Sequence, residues 1–382
     1  MTDYNFDSIR PYYEDELPAA LKRIVNDDQF NRLLTYLFPS EKHDDLKGKI
    51  LHAKSTHQLQ LAFMLPVIRS ILSKTSEKLS LSGIKNYNEN AGCVFIANHR
   101  DIILDSYILS LYLVENGFNA SQITWGNNLM VSPLAIDLGK ANKMITVYRD
   151  GSPKEMFKNS QTLSAYIRQT VAEQKQTVWI AQRKGRAKDG TDTTDVGVLK
   201  MLSLTGGKDF IKSLGELNIT PVTISYEWEP CDAMKVRELL MSNGNEYVKE
   251  KNEDFLSIVG GVISQKGRIH LNIGTPLNNW LEKINTDQRP NEVLKDIGLF
   301  IDKQIHQNYM LWPSNYLAFD LLNNSTKYSK KYNSEIKEKF NERLQNAIDH
   351  TNGDKEKITE LFLKLYANPV KNKISAIGDL TD

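Results

Sequence analysis

Cys93-Val94-Phe95-Ile96-Ala97-Asn98-His99-Arg100-Asp101-Ile102-Ile103-Leu104-Asp105 changes character within thirteen residues. Cys93 to Ala97 is a short apolar run of the kind that sits in a sheet covered on both faces. After it, Ile102, Ile103, Ser106, Ile108, Leu109 and Leu111 to Leu113 follow helical spacing. His99 therefore falls at a strand-to-helix turn. In open α/β sheets ligands bind in the crevice beyond the carboxyl ends of the strands, and a helix N-terminus there favours negative charge.

The same texture extends along the chain. Short β-rich runs recur at Ile123-Thr124-Trp125, Met144 to Val147, Thr177 to Ala181 and Pro221 to Tyr226, with helical stretches between them. Arg268 to Ile273 reads as a further strand, closed by Gly274-Thr275-Pro276. The fold class this predicts is α/β, a mainly parallel central sheet covered by helices. Residues from Glu14 to about Asn90 follow helical periodicity, including Leu59 to Leu79, and glycines and asparagines from Gly83 to Gly92 break the pattern. From about Trp280 to Tyr366 the pattern is helical again, with the last dozen residues frayed. The expected organisation is a helical N-terminal domain over 1–90, an α/β domain over 91–278 and a helical C-terminal extension over 279–382.

Length and composition limit the function classes. At 382 residues the chain exceeds what one core usually organises. A net charge of +1 gives no bulk reason to expect a nucleic-acid partner. Two distant cysteines, Cys93 and Cys231, fit a reducing, cytoplasmic compartment and supply no metal-site spacing. Met1 to Tyr13 is acidic and polar, unlike a secretory signal. The longest apolar stretch, Leu59 to Leu72, is interrupted by Gln60, Pro66, Arg69 and Ser70 and falls short of the roughly 20 residues that span a bilayer. It reads as a buried core helix or, with Lys74 and Lys78 beside it, as a peripheral membrane contact.

A lone histidine in a turn is most often a packing or capping residue, because fold position does not establish function. Asp105 changes that reading. A carboxylate that holds one ring N–H leaves the other nitrogen free to act as general base. Asp101 is the rival partner from the start of the helix; Asp105 is favoured because it sits one layer deeper, leaving Asp101 to cap. His99-Arg100-Asp101 also matches the opening of the protein-kinase catalytic loop, but Ser106 stands where that loop needs Asn, and the glycine-rich loop and Asp-Phe-Gly are missing.

The segment resembles the first motif of the glycerol-phosphate and lysophosphatidate acyltransferase family, Asn-His, four residues, then Asp; here five residues intervene. Later segments fall in that family's order. Asn142-Lys143-Met144-Ile145-Thr146-Val147-Tyr148-Arg149 looks like the second motif, whose arginine holds the acceptor's phosphate, and a guanidinium fork suits phosphate oxygens. Trp179-Ile180-Ala181-Gln182-Arg183-Lys184-Gly185-Arg186-Ala187-Lys188 places four cations within six residues, a density that like-charge repulsion disfavours unless an anion binds. Against the family's Pro-Glu-Gly-Thr-Arg, Lys184 takes the glutamate position and Gly185 the glycine. Ile219 to Glu227 is similar to the last motif, a proline-opened strand that helps line the acyl pocket.

The resemblance implies direct acyl transfer from acyl-CoA or acyl carrier protein to a hydroxyl of a lipid or glycerophosphate acceptor, at the inner face of the membrane, without cofactor or metal. His99 and Asp105 are the expected catalytic pair, and Asn98, Arg100, Lys143, Arg149, Arg183, Lys184, Gly185, Arg186 and Lys188 the expected substrate contacts. Backbone N–H groups near the helix start or in the Gly185 loop would hold the oxyanion. The cation at Lys184 opens two further readings, an acceptor bearing a carboxylate such as an N-acyl amino acid, and a non-catalytic lipid- or acyl-carrier-binding protein of the same fold.

Overall fold

Branched and aromatic side chains crowd the short runs, and they become strands buried on both faces: Val94, Phe95 and Ile96 are wholly inaccessible. In a computed structural model that describes residues 4–39, 42–242, 247, 249–250, 253–285 and 287–380, seven strands are present. They are β1 (Ser76–Ser82), β2 (Cys93–Ala97), β3 (Gln122–Gly126), β4 (Met144–Val147), β5 (Thr177–Ala181), β6 (Thr220–Tyr226) and β7 (Gly267–Ile273). They form one sheet in the order β1-β7-β6-β2-β5-β3-β4. Only the β6–β7 pairing is antiparallel, so the expected mainly parallel α/β architecture is the one observed.

Two elements depart from the periodicity. Residues 76–82, expected to continue a helix through Leu79, form the edge strand β1 alongside β7. Their Leu79-Ser80-Leu81-Ser82 alternation has the period of a strand; it directs both leucines to the core, while Ser80 and Ser82 bracket His270 at 2.8 and 3.0 Å. The C-terminal segment is helical as far as Ile377 instead of frayed. Asn372 Nδ2 donates to the carbonyls of Gly190 and Thr191 and Lys373 Nζ to that of Tyr309, so tertiary contacts hold the last turns in place.

Helices cover the sheet from both sides. One face packs against the N-terminal helices, with Leu21, Phe30, Ile68, Phe95, Leu109 and Leu271 in a continuous apolar cluster. The Leu59 to Leu72 stretch belongs to this core: Leu59, Phe63, Leu65, Ile68 and Ile71 are buried, and Lys74 Nζ is spent on the carbonyl of Leu37. The other face packs against helices Pro153–Arg168, Val196–Ser203 and Pro290–Asn308. A third cluster joins Trp228 and Val236 to the C-terminal helices through Phe340, Phe362 and Tyr366. Among the described residues no helix is long and apolar enough to cross a membrane.

Where the chain enters β7, Lys266 is fully buried; its Nζ donates to Thr75 Oγ1 at 3.0 Å and to the Ser264 carbonyl at 2.7 Å. Burial pushes its ammonium down to about 8. The unfolded chain then holds the proton between pH 8 and the ordinary lysine value near 10.5 while the folded chain has released it. The burial cost is therefore felt in full below pH 8 and is relieved as pH rises. Relative to a Lys266→Met variant, the wild-type unfolding free energy should climb by on the order of 3 kcal/mol from pH 8 to 10.5, which urea titrations would read; a pH-independent difference would refute the assignment.

Candidate active site

The carboxyl ends of β2, β5, β3 and β4 lie side by side, and the segments leaving them carry His99, Arg183 to Arg186, Gly126 to Leu129, and Tyr148 to Arg149. All of these except Asn127 line one open cleft of about 1450 Å³, mouth included. One part of its wall is apolar, from Leu129, Val147, Met156, Leu163, Val198 and Met201, and another is cationic. Tertiary structure thus joins three of the sequence stations at one sheet edge, as an open α/β sheet favours.

The turn after β2 is built around one carboxylate. Asp105 is the second residue of the helix Leu104–Glu115 and is buried. Its Oδ2 accepts the His99 Nδ1–H at 2.9 Å and the backbone N–H groups of Arg100 at 2.6 Å and Asp101 at 2.9 Å, and its Oδ1 accepts the Tyr226 hydroxyl at 2.8 Å. An ionised carboxylate only accepts, so the ring carries its proton on Nδ1 and Nε2 keeps its lone pair. His99 lines the cleft, with Trp179 packed edge-on against the ring at 5.4 Å. Burial beside Asp105 holds the Tyr226 phenol protonated, so it remains a donor.

Asp101 performs the other task. Its Oδ1 accepts from the N–H groups of Ile103 and Leu104, at 2.9 and 2.8 Å, a capping contact just ahead of the regular helix, which begins at Leu104. The extra residue between His99 and Asp105 lies in this non-helical loop. Burial and the neighbouring Asp105 raise the Asp101 carboxyl above the usual carboxylate range. Because the Arg100 and Asp101 N–H groups are committed to Asp105, they are not available as oxyanion donors.

Several expected substrate contacts lie elsewhere. Arg100 is fully buried and lines no part of the cleft. It pairs with Asp192 and, at 3.2 Å, with Glu229, while Lys235 Nζ donates to Glu229 at 2.5 Å and to the Arg100 carbonyl at 2.7 Å. A buried guanidinium needs such partners because desolvation is otherwise prohibitive. Asn98 is also internal: its amide accepts from Ile224 N at 2.7 Å and donates to Ile224 O at 2.9 Å, extending the β2–β6 ladder past the end of β2. Lys188 pairs with Glu238 and stays out of the cleft. Lys143 precedes β4, at its amino end, the wrong end of the strand. The side chains of β6 do not line the cleft either; the strand contributes the Tyr226 hydroxyl instead.

The cleft keeps Arg149, Arg183, Lys184, Gly185 and Arg186. Arg149 rests on the bare backbone of Gly126, where an added Cβ would meet its guanidinium carbon at 3.2 Å. Burial lowers its proton affinity, with Asp254 and Asp150 opposing. Gly185, at φ +75, turns the cationic loop, and Ala187 N–H donates to the His99 carbonyl at 2.7 Å, tying that loop to the histidine turn. Arg186 is 7% exposed, and its Nη1 has no hydrogen-bond partner among the described residues. Sequence reasoning missed Tyr226, Asp192, Glu229, Lys235 and the cleft residues Asn128, Lys249 and Asp254. Tyr226 lies in a segment that the sequence motifs single out, and there its type suggests nothing more than a core aromatic.

No protein-family model and no curated protein sequence matches the chain. Among solved structures the chain is similar to the 1-acyl-sn-glycerophosphate (LPA) acyltransferase PlsC from Thermotoga maritima, with a TM-score of 0.38 and 10% identity over 76% of this chain and 95% of that one.

The Arg100 cluster yields a stability prediction. Arg100→Met leaves Asp192 and Glu229 buried with one cation between them, and removing one partner of a buried pair typically costs about 3–5 kcal/mol. Denaturant unfolding should show a loss of that order, and an unchanged midpoint would mean the cluster does not hold the turn.

Proposed function

We propose that the protein is an O-acyltransferase that moves a fatty acyl group from an acyl thioester, acyl-CoA or acyl carrier protein, to a hydroxyl of a glycerophosphate-type lipid acceptor. The observation that carries this reading is the His99 Nδ1–Asp105 Oδ2 contact of 2.9 Å in a turn whose imidazole faces the cleft. The cationic loop and the apolar wall support it, because such an acceptor has an anionic head and an apolar chain.

In this reaction His99 Nε2 takes the proton of the acceptor hydroxyl as the oxygen attacks the thioester carbonyl. The tetrahedral oxyanion collapses, the C–S bond breaks, and the imidazolium returns the proton to the leaving thiolate. Asp105 keeps the productive tautomer and stabilises the imidazolium, and Tyr226 and two backbone N–H groups keep Asp105 in place. Arg149, Arg183 and Arg186 lower the barrier chiefly by holding the anionic group so that the hydroxyl lies near His99.

Free-thiol release from acyl-CoA or acyl carrier protein in the presence of lysophosphatidate and related acceptors tests the reading; no release with any donor and acceptor pair would refute it. His99→Ala should lower kcat by roughly a thousandfold or more, the order of general-base catalysis together with the lost ring contacts. Arg149→Ala should mainly raise KM for a phosphate-bearing acceptor, by roughly 10- to 100-fold for a charged contact worth about 1.5–3 kcal/mol. A larger effect on kcat than on KM would assign Arg149 to the reaction step instead.

A further inference from the structure

Helix Glu253–Ile263 is built inside out. Its buried positions are Ser257 and Gly261, four residues apart, whereas Phe255, Leu256, Val259 and Ile263 are 36–61% exposed. Phe255, Val259 and Ile263 form an apolar stripe at i, i+4 and i+8, about 12 Å long at 1.5 Å per residue. A surface helix of a water-soluble domain normally places that stripe inward. Here the fully buried positions are small, with Val262 packed partly buried beside them against the core, and Gly261 brings the backbone close to the histidine turn. An added Cβ at Gly261 would sit 2.3 Å from Asp101 Oδ2, and one at Gly260 would sit 3.1 Å from Cys231 Sγ. Two glycines cost helix stability, about 1 kcal/mol each relative to alanine, so the orientation is maintained against local preference.

The stripe borders the cleft mouth. Asn128 Nδ2 donates to Asp254 Oδ2 at 2.7 Å, joining the start of this helix to the turn that carries Val131, which is 78% exposed. Asp254 lines the cleft on this side and Met156 lines it from helix Pro153–Arg168, whose Phe157 is 55% exposed. Exposed Lys154 and Lys158 flank Phe157, and Arg183 and Lys184 line the cleft itself, beside Lys249, which pairs with Asp254. Apolar side chains therefore rim the opening with cations among them, the chemistry of a surface that settles into the headgroup region of an anionic bilayer.

We propose that this rim, led by helix Glu253–Ile263, is the membrane-docking face, which lays the cleft mouth on an anionic lipid surface so that a bilayer-borne acceptor enters without crossing water. The inference rests on the reading of the cleft as a lipid acyl-transfer site. It replaces Leu59 to Leu72, whose apolar side chains are mostly spent in the core, as the contact. A bilayer suits the rim better than a protein partner does, because the apolar side chains lie on both sides of the opening, and a docked protein would close it.

Co-sedimentation of the full chain with vesicles of phosphatidylcholine containing phosphatidylglycerol (about 30% anionic lipid, as in an anionic leaflet) tests this. Wild type should bind, and the double substitution Phe255→Ser, Leu256→Ser should lower the partition coefficient by about tenfold or more, while Leu321→Ser, exposed on another helix, should not. Circular dichroism would verify that each variant is folded. Wild type left in the supernatant at low salt, or a double variant that binds as wild type does, would overturn the proposal. So would loss in the double variant of self-association or of acyl carrier protein binding with vesicle binding intact. Thiol release with a water-soluble short-chain acceptor, without vesicles, separates the two readings. Vesicle binding without any thiol release removes the proposed reaction and leaves the docking face, whereas thiol release without vesicle binding removes the docking face alone.

Discussion

A buried carboxylate must have its lone pairs satisfied, and at Asp105 that requirement organises everything around it. Four donors reach it from two parts of the chain: the His99 ring and the next two N–H groups of the turn, and a hydroxyl from β6. Each donor is thereby fixed relative to the others. The turn cannot continue the strand or begin the helix early, the imidazole is locked in one tautomer and orientation, and β6 is held in register with the turn it brackets. With its Nδ1–H committed to Asp105, the histidine has its other ring nitrogen left over in the wall of the cleft.

Beneath that turn lies a second layer of charge. Arg100 and Lys235, both buried, face the buried Asp192 and Glu229, two cations against two anions. This layer is tied to the C-terminal helices, since the Tyr366 hydroxyl accepts from Glu229 N–H and donates to Asp232, which also receives Arg343. The helices that follow the sheet are thus connected by hydrogen bonds to the residue next to the histidine. Buried ion clusters of this kind add little net stability, but each is intolerant of losing one member, which makes the turn's geometry depend on the whole group.

The cleft combines opposed environments. Cations from the segments after β4 and β5 gather at one part while methionine, leucine and valine line another. The inside-out helix beside the mouth continues the apolar character onto the outer surface, and it does so at the cost of two glycines, of which Gly261 lets its backbone pass close to Asp101 and Gly260 close to Cys231. Both features suit a substrate that is charged at one end and apolar along the rest.

The strands, their alternation with helices and the placement of His99 at a strand end were legible from the chain alone, because apolar run length and periodicity are local properties. β1 escaped, since a helical pattern ran into it and its four-residue alternation was too short to outweigh that pattern until pairing with β7 placed it in the sheet. The pairing of His99 with an aspartate was readable from spacing, but the choice between Asp105 and Asp101 belongs to the turn geometry. Residue type pointed to cations at the site, yet it did not separate Arg149, Arg183 and Arg186, which line the cleft, from Arg100, Lys143 and Lys188, which do not. A charged side chain acquires its role from what the fold puts opposite it, and Asp192, Glu229 and Glu238 come from distant parts of the chain. Local pattern was enough to settle the architecture and to put His99 at the carboxyl end of a strand. Which charges are spent on one another, and which face the cleft, was settled only on folding, because burial and partnership are properties of neighbours in space.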